Sequence, residues 1–342
     1  MKTSNERGLF DEEIRLEKLS VKGDPLEKLN ECIPWRMFEP ILQDVFAHEA
    51  KGPGGRPPYE YVMMFKVLIL QRYYGLSDGQ TEYQITDRLS FMRFLGLGLA
   101  DRIPDEKTVW LFREALTKAK AIEKLFELFG SYLENQGLIA HEGQIIDASF
   151  VEVPRQRNRR EENKEIKAGN VPAAWKEKPA MLRQKDTDAR WAKKNKERHY
   201  GYKNHVKICK RSKLIETYGT TDASVHDSQA VSLLVEQSNE HQELYADSAY
   251  SGEPLQRVLE KHGMVSRIHE KGYRGKPLTE EQKLCNTEKS RIRARVEHVF
   301  GFIENSMHGL WIRCIGKQRA HGIVGLINLT YNLFRFLHLR PA

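Results

Sequence analysis

Gln144-Ile145-Ile146-Asp147-Ala148-Ser149 sets a carboxylate directly after two β-branched residues. Glu243-Leu244-Tyr245-Ala246-Asp247-Ser248-Ala249-Tyr250 does the same after another short apolar run. Each run reads as a buried β-strand that ends on an aspartate. A third carboxylate, Glu297, stands in Arg293-Ala294-Arg295-Val296-Glu297-His298, which reads as one turn of a basic helix. A single Asp at a strand end is commonly a turn residue. Two of them, with a glutamate among arginines, point instead to a shared site. Aspartate on a strand end is held rigidly by its short side chain, while glutamate reaches in from a helix. Carboxylates gathered this way hold divalent metal, and a few suffice for Mg²⁺ when phosphate supplies further oxygens.

The charge balance indicates what such a metal would act on. The 342 residues carry 55 Lys and Arg against 47 Asp and Glu, a formal net charge of +8. That excess suits a polyanion, so a phosphodiester is the natural substrate; a merely basic soluble protein is the alternative at this level. Mean hydropathy is −0.61, as expected of a soluble chain. Cys32, Cys209, Cys285 and Cys314 form no CxxC pair and the histidine spacings complete no zinc site, so reduced cytosolic thiols are expected. Met1 to Arg7 leads into charged residues without an apolar core, so no signal peptide is expected. No run approaches the roughly 20 apolar residues of a membrane span, and Val62 to Leu70 is interrupted by Lys66. The expected location is the cytoplasm, on the nucleoid when DNA is bound, with no membrane partner.

Outward from Asp147, Gln144 to Val153 reads as a strand or hairpin. Residues 155–199 follow as a polar insertion with 15 Lys and Arg against 7 Asp and Glu, a local excess equal to that of the whole chain. The segment is expected to be a disordered insertion or a nucleic-acid arm, and its Trp175 and Trp191 favour a contact surface on which bases stack. Strands are expected at Tyr200 to Cys209 and Lys213 to Thr221. A helix is expected at Asp227 to Asn239, then the strand before Asp247, a helix at Gly252 to His262 and a strand at Met264 to His269. Ser290 to His308 and Ala320 to Leu339 read as two long helices.

Upstream, residues 1–50 read as an arm with short helices at Pro25–Ile33 and Met37–His48. Residues 51–58 form a Gly/Pro hinge carrying Arg56. Residues 51–135 read as a helical DNA-binding domain, in which a helix-turn-helix and a plain helical bundle fit the spacing equally. The expected architecture is α/β: an all-α N-terminal domain, then a ribonuclease-H-like (retroviral-integrase-like) catalytic domain over 140–342 with the basic insertion inside it.

These motifs, in this order, resemble the DDE transposases of bacterial and archaeal insertion sequences, in the insertion-sequence-five branch. The likeness runs from about Arg56 to Phe336. It rests on Gly55-Arg56-Pro57-Pro58-Tyr59, Leu95-Gly96-Leu97 and Pro104-Asp105-Glu106-Lys107-Thr108 in the helical part. In the catalytic part it rests on Asp147-Ala148-Ser149, His199-Tyr200-Gly201-Tyr202-Lys203-Asn204-His205, Ala223-Ser224-Val225-His226-Asp227-Ser228, Tyr245-Ala246-Asp247-Ser248-Ala249-Tyr250 and Arg293 to Phe300. The resemblance implies that Asp147, Asp247 and Glu297 are the catalytic metal-binding triad, holding Mg²⁺ (or Mn²⁺), two ions in all. It implies that Arg293 is the arginine of the Tyr-Arg-Glu-Lys signature, one helical turn before Glu297. Ser290 and Glu304 depart from that signature's tyrosine and lysine, which puts in doubt how this helix grips DNA. The implied reaction is phosphoryl transfer: water cuts the element's ends at its inverted repeats, and the freed 3′-hydroxyls attack target DNA. The implied partner is double-stranded DNA, with a homodimer or higher oligomer assembled on it.

Other polar residues are weaker candidates. Lys203, Arg291, Arg295 and Arg56 are expected DNA contacts beside Arg293. Asp227 reads as a helix cap, and Trp311 as a core residue. A metal-dependent nuclease of the same fold and a non-enzymatic DNA-binding descendant are the competing functions.

Overall fold

The computed structural model describes residues 8, 10–46, 58–235, 240–250, 252–272, 275 and 277–340. The chain divides into two compact units, one ending at Ala121 and the other spanning Ile122–Leu339. Arg56 and the rest of the 51–57 hinge lie outside the described residues.

The first unit is entirely helical: α1 Asp11–Val21, α2 Pro25–Cys32, α3 Glu39–Phe46, α4 Tyr61–Tyr73, α5 Asp78–Asp87, α6 Leu89–Leu95 and α7 Glu106–Lys118, with a 3₁₀ turn at Trp35–Phe38. The helices start where the sequence supplies caps. Asp24 accepts from Leu26 N at 3.0 Å, Asp105 accepts from Thr108 N at 2.7 Å, and Ser77 and Gln80 form a reciprocal capping box. α4 is apolar on every side and nearly all of it is buried, so it is the central helix. Trp35, Phe38 and Phe94 pack with its Phe65, the ring centroids 4.9–6.3 Å apart. Residues 25–42, read from sequence as part of an arm, therefore supply core: Leu26, Leu29, Trp35, Phe38 and Leu42 are buried. Arg93 of α6 ties this segment down through Asp24 (2.7 Å), Glu27 (3.0 Å) and Ser20 (2.8 Å).

The second unit runs α8 Ala121–Asn135, β1 Gly143–Glu152, α9 Arg160–Lys167, α10 Ala173–Lys176, α11 Pro179–Leu182, β2 Arg190–Lys194, β3 Glu197–Cys209, β4 Ile215–Asp222, β5 Glu243–Tyr245, α12 Glu253–Lys261, β6 Val265–Ser266, α13 Glu280–Arg293, α14 Arg295–Ser306 and α15 Lys317–Leu339. β1 and β3 are antiparallel with Asp147 opposite Val206, and β3 and β4 are antiparallel. β1 and β5 are parallel with Ile145 opposite Tyr245, and β5 and β6 are parallel. The order β4-β3-β1-β5-β6, with three antiparallel strands followed by two parallel ones, is ribonuclease-H-like. β2 extends the same edge of β3 that β4 occupies.

One side of the sheet is closed by α15. Asn328 exchanges amide hydrogen bonds with Asn204 at 2.9 and 3.1 Å, and Asn332 satisfies the backbone of Ile215 at 2.9 and 2.8 Å. Gly325 lets this helix meet Tyr218: a Cβ there would collide with the tyrosine hydroxyl and sit 2.9 Å from Ile122. A second cluster gathers Ile146, Val231, Leu234, Leu244, Tyr250, Leu255 and Leu259.

The insertion differs from expectation. It is folded rather than disordered, because buried polar groups hold it. Trp175 is fully buried and its indole N–H donates to Glu162 at 2.9 Å, so it is not a stacking surface. Asp186, also buried, accepts from Tyr202 Oη at 2.8 Å, Ala189 N at 2.9 Å and Gly316 N at 3.1 Å. Trp191, by contrast, is 45% exposed. Trp311 is 50% exposed, with Arg313 over its ring, and is not core. Among the described residues no helix is long and apolar enough to cross a membrane.

Candidate active site

Asp147 lies in the middle of β1 rather than at its end. β3 is thirteen residues long and keeps pairing with β1 as far as Gly201, so the strand continues past the aspartate. The carboxylate is half-buried and held at both oxygens: Ala148 N donates to Oδ1 and Arg293 Nη1 to Oδ2, each at 2.8 Å. Burial pushes its pKa up to about 6, and the charges of Asp247 and Glu297 push the same way. The Ala148 N–H and the Arg293 guanidinium oppose that rise without cancelling it.

Asp247 does follow its strand, two residues beyond β5. Its Oδ1 accepts from Ala249 N at 2.8 Å and its carbonyl accepts from Tyr250 N at 3.2 Å, which orders the 3₁₀ turn Ser248–Tyr250. Glu297 is in the first turn of α14. The expected single helix from Ser290 is instead two, α13 and α14, that meet at Ala294. Arg293 and Glu297 still share a face, with Arg293 Nη1 3.5 Å from Glu297 Oε1. One guanidinium thus spans Asp147 and Glu297, and Asp247 acts on Asp147 through its field. Among the described residues no three His, Cys, Asp or Glu side chains stand in a group that could share one ion. The donor chemistry nonetheless suits a hard cation. The carboxylates offer only oxygen, and Asp147 retains an upward shift that added positive charge would relieve.

The other expected contacts divide. Arg291 is exposed at the end of α13. Arg295 donates to the Lys210 carbonyl at 2.6 Å. Lys203 donates to Asp227 Oδ1 at 2.8 Å and to the Val225 carbonyl at 2.7 Å. Asp227 is therefore an ion-pair partner; the cap of its 3₁₀ helix is His226, whose ring accepts from Ser228 N. Ser290 Oγ meets His269 Nε2 at 3.0 Å.

Two residues beside the carboxylates were not singled out from sequence. Tyr250 is buried, its hydroxyl has no hydrogen-bond partner among the described residues, and burial with the charges of Asp147, Asp227 and Asp247 raises its pKa well above the usual value. His269 has its pKa lowered by burial and by the Arg293 charge. The only sequence signal for Tyr250 was its place three residues after Asp247. His269 had none, because the β6 edge brings it in: its amide donates to the Ala246 carbonyl at 3.3 Å.

Comparison with known proteins adds the family. The family described as "Transposase DDE domain" matches residues 139–333, and "Transposase domain (DUF772)" matches residues 14–115. A piggyBac transposase, solved as a synaptic complex with hairpin DNA, superposes with a TM-score of 0.46 at 11% identity. That alignment covers 92% of this chain and 75% of the other.

Proposed function

The chain belongs to the DDE transposase family, an enzyme family that cuts and joins DNA with divalent metal ions, and from that premise we propose that it moves an insertion sequence of the insertion-sequence-five branch. It binds the terminal inverted repeats, cuts at the ends and joins the 3′-hydroxyls to target DNA. Asp147, Asp247 and Glu297 are the residues that hold the metal, Mg²⁺ with Mn²⁺ as substitute, two ions in all. A divalent ion there supplies Lewis acidity toward the phosphodiester oxygens.

The chain's own groups do the remaining work. Ala148 N–H and Arg293 fix both oxygens of Asp147, so the carboxylate is oriented before substrate arrives. Arg293 stands between two carboxylates and offers a guanidinium to an incoming phosphate. Arg291 extends that positive border on the exposed side of α13. Lys203 and Arg295 are further DNA contacts of the same unit, and Arg56 is one of the helical domain. The helical unit recognises the inverted repeats. Two ends must be held together for joining, so a homodimer or higher oligomer forms on DNA.

The observation that carries this reading is the single guanidinium spanning Asp147 and Glu297, with Asp247 electrostatically coupled to Asp147. The test is cleavage of DNA carrying the inverted repeats that flank the gene. Asp147→Asn, Asp247→Asn and Glu297→Gln should each abolish Mg²⁺-dependent cleavage and leave binding to that DNA largely intact. Full cleavage by any of these variants removes that carboxylate from the site.

A further inference from the structure

Within the helical unit, α1 and the corner between α5 and α6 enclose a groove of about 430 Å³. Arg15, Lys18 and Lys22 line it from α1, and Asp87, Arg88 and Ser90 line it from the corner. Residues 15, 18 and 22 are three and four positions apart, so their side chains stand in one row along the helix. Lys22 keeps that spacing because its backbone stays right-handed helical just past Val21. The helix dipole accounts for cations near the C-terminal end of α1, but not for Arg15 in its middle or for Arg88 outside it.

The groove has fixed walls. Arg93 of α6 donates to the Leu16 carbonyl at 3.3 Å and to Ser20 Oγ at 2.8 Å, which fastens α1 to α6. The same guanidinium is neutralised by Asp24 and Glu27. The groove's own cations keep their charge: among the described residues none of Arg15, Lys18, Lys22 and Arg88 is paired with a carboxylate. Asp87 is the one carboxylate of the lining, so four cations face a single anion. Arg88 is also held in place. Its guanidinium lies 5.2 Å from the Phe91 ring centroid and 5.8 Å from that of Tyr74. Two rings restrict the guanidinium while its fork of N–H donors meets no acid. Such a fork is matched to phosphate oxygens and loses little freedom when it binds them.

We propose that this groove grips the phosphate backbone of duplex DNA, with Arg88 on one phosphate and the row on α1 following the same strand. The proposal rests on the reading of the helical unit as the part that recognises the inverted repeats. It assigns to this groove the positioning share of that contact and not the choice of sequence. The row from Arg15 to Lys22 is seven residues long, about 10 Å at 1.5 Å per residue. Phosphates of one strand recur about every 3.4 Å along the duplex axis. A row of that length suits a polymeric anion better than a single small one. Phosphate charge is the same in every sequence, so these cations fix register and leave base edges to other residues.

The test is fluorescence anisotropy on the full chain over a range of salt, with two labelled duplexes. One carries the inverted repeats that flank the gene and the other a scrambled sequence. Combining Arg15→Gln, Lys18→Gln and Lys22→Gln should weaken both duplexes by the same factor, roughly a hundredfold at about 0.15 M salt. The slope of log affinity against log salt should fall by about 2.7, at about 0.9 per phosphate contact. Lys18→Gln alone should lower it by about 0.9. Arg88→Ala should also weaken both duplexes, and Arg88→Lys should recover only part of that loss because an ammonium lacks the fork. All four side chains are exposed, so the melting temperature of each variant should match the wild type, which keeps lost binding apart from lost folding. The proposal is overturned if the triple variant binds both duplexes with wild-type affinity and slope. It is overturned equally if only the inverted-repeat duplex is weakened, since the groove would then read sequence. A wild type that binds neither duplex overturns this proposal and the inverted-repeat reading together. A wild type that binds the two duplexes equally removes the inverted-repeat reading alone, whereas a clear preference with an unchanged triple variant removes the groove alone.

Discussion

Replacing Asp147 with Asn should stabilise the metal-free protein at neutral pH while abolishing cleavage. Burial and the like charges of Asp247 and Glu297 raise this carboxyl from its ordinary 3.8 to about 6. The folded state thus binds the proton more tightly than the unfolded state does. Stability contributed by Asp147 is present below about pH 4 and is lost as the pH rises through about 6. The full loss is about 3 kcal/mol at one pKa unit per 1.36 kcal/mol. An amide carries no charge and escapes that loss, but it has one oxygen where the carboxylate uses two, for Ala148 N and Arg293. Losing one hydrogen bond costs about 1 kcal/mol, so the net gain is about 2 kcal/mol. For a unit of this size that is a rise in Tm of about 4–8 °C. The assay is thermal unfolding followed by circular dichroism, in EDTA, at pH 7.5 and again near pH 4, where the difference should shrink. Saturating Mg²⁺ should reverse the order at pH 7.5, because the ion stabilises only the chain that binds it. An Asp147→Asn variant that melts at or below the wild type at pH 7.5 in EDTA would refute the claim that this carboxylate is held at an electrostatic cost.

Three further outcomes follow from the packing. Gly325→Ala should destabilise the catalytic unit by about 1–3 kcal/mol through overpacking against Tyr218. Adding Tyr218→Phe removes the clashing oxygen and should restore part of that in urea unfolding. Trp175→Ala should cost about 3–5 kcal/mol of local stability, since the ring is fully buried. It would appear in limited proteolysis as new cuts within residues 156–189, and an unchanged digestion pattern would show that Trp175 does not hold the insertion. Removing residues 1–121 should leave DNA binding without preference for the element's ends; gel-shift specificity that survives the deletion would show that the helical unit does not read them.

Much of the helical unit was legible because its signals are local. Asp24, Ser77 and Asp105 mark helix starts by side-chain chemistry, and α4 is recognisable from its apolar run. The strands around Asp147 and Asp247 were equally plain from two short apolar runs. The place of Asp147 within its strand was less plain: the apolar run suggested a strand ending on it, while Gln144 to Val153 read as a strand or hairpin, and pairing with a strand some fifty residues later fixes the longer strand. The insertion misled for a related reason. Its composition is that of a disordered segment, yet Asp186 and Trp175 find partners that no window of sequence can show.

By itself the sequence determined the chemical inventory: three carboxylates in strand and helix contexts, an arginine one turn before the glutamate, and an excess of positive charge. It also determined the order of the main strands and the closing helix outside the insertion, since periodicity and caps act over a few residues. Tertiary structure alone decided that Arg293 reaches across to Asp147, that burial lifts that carboxyl to about 6, that Tyr250 stands near Asp147 and Asp247, and that His269 stands near Asp247 and Arg293. It also separated the two tryptophans of the insertion, one sealed in a core and one exposed. The physical reason is the same in each case. Desolvation and Coulomb interaction depend on distance in space, and for residues more than a hundred positions apart that distance is set only when the sheet closes.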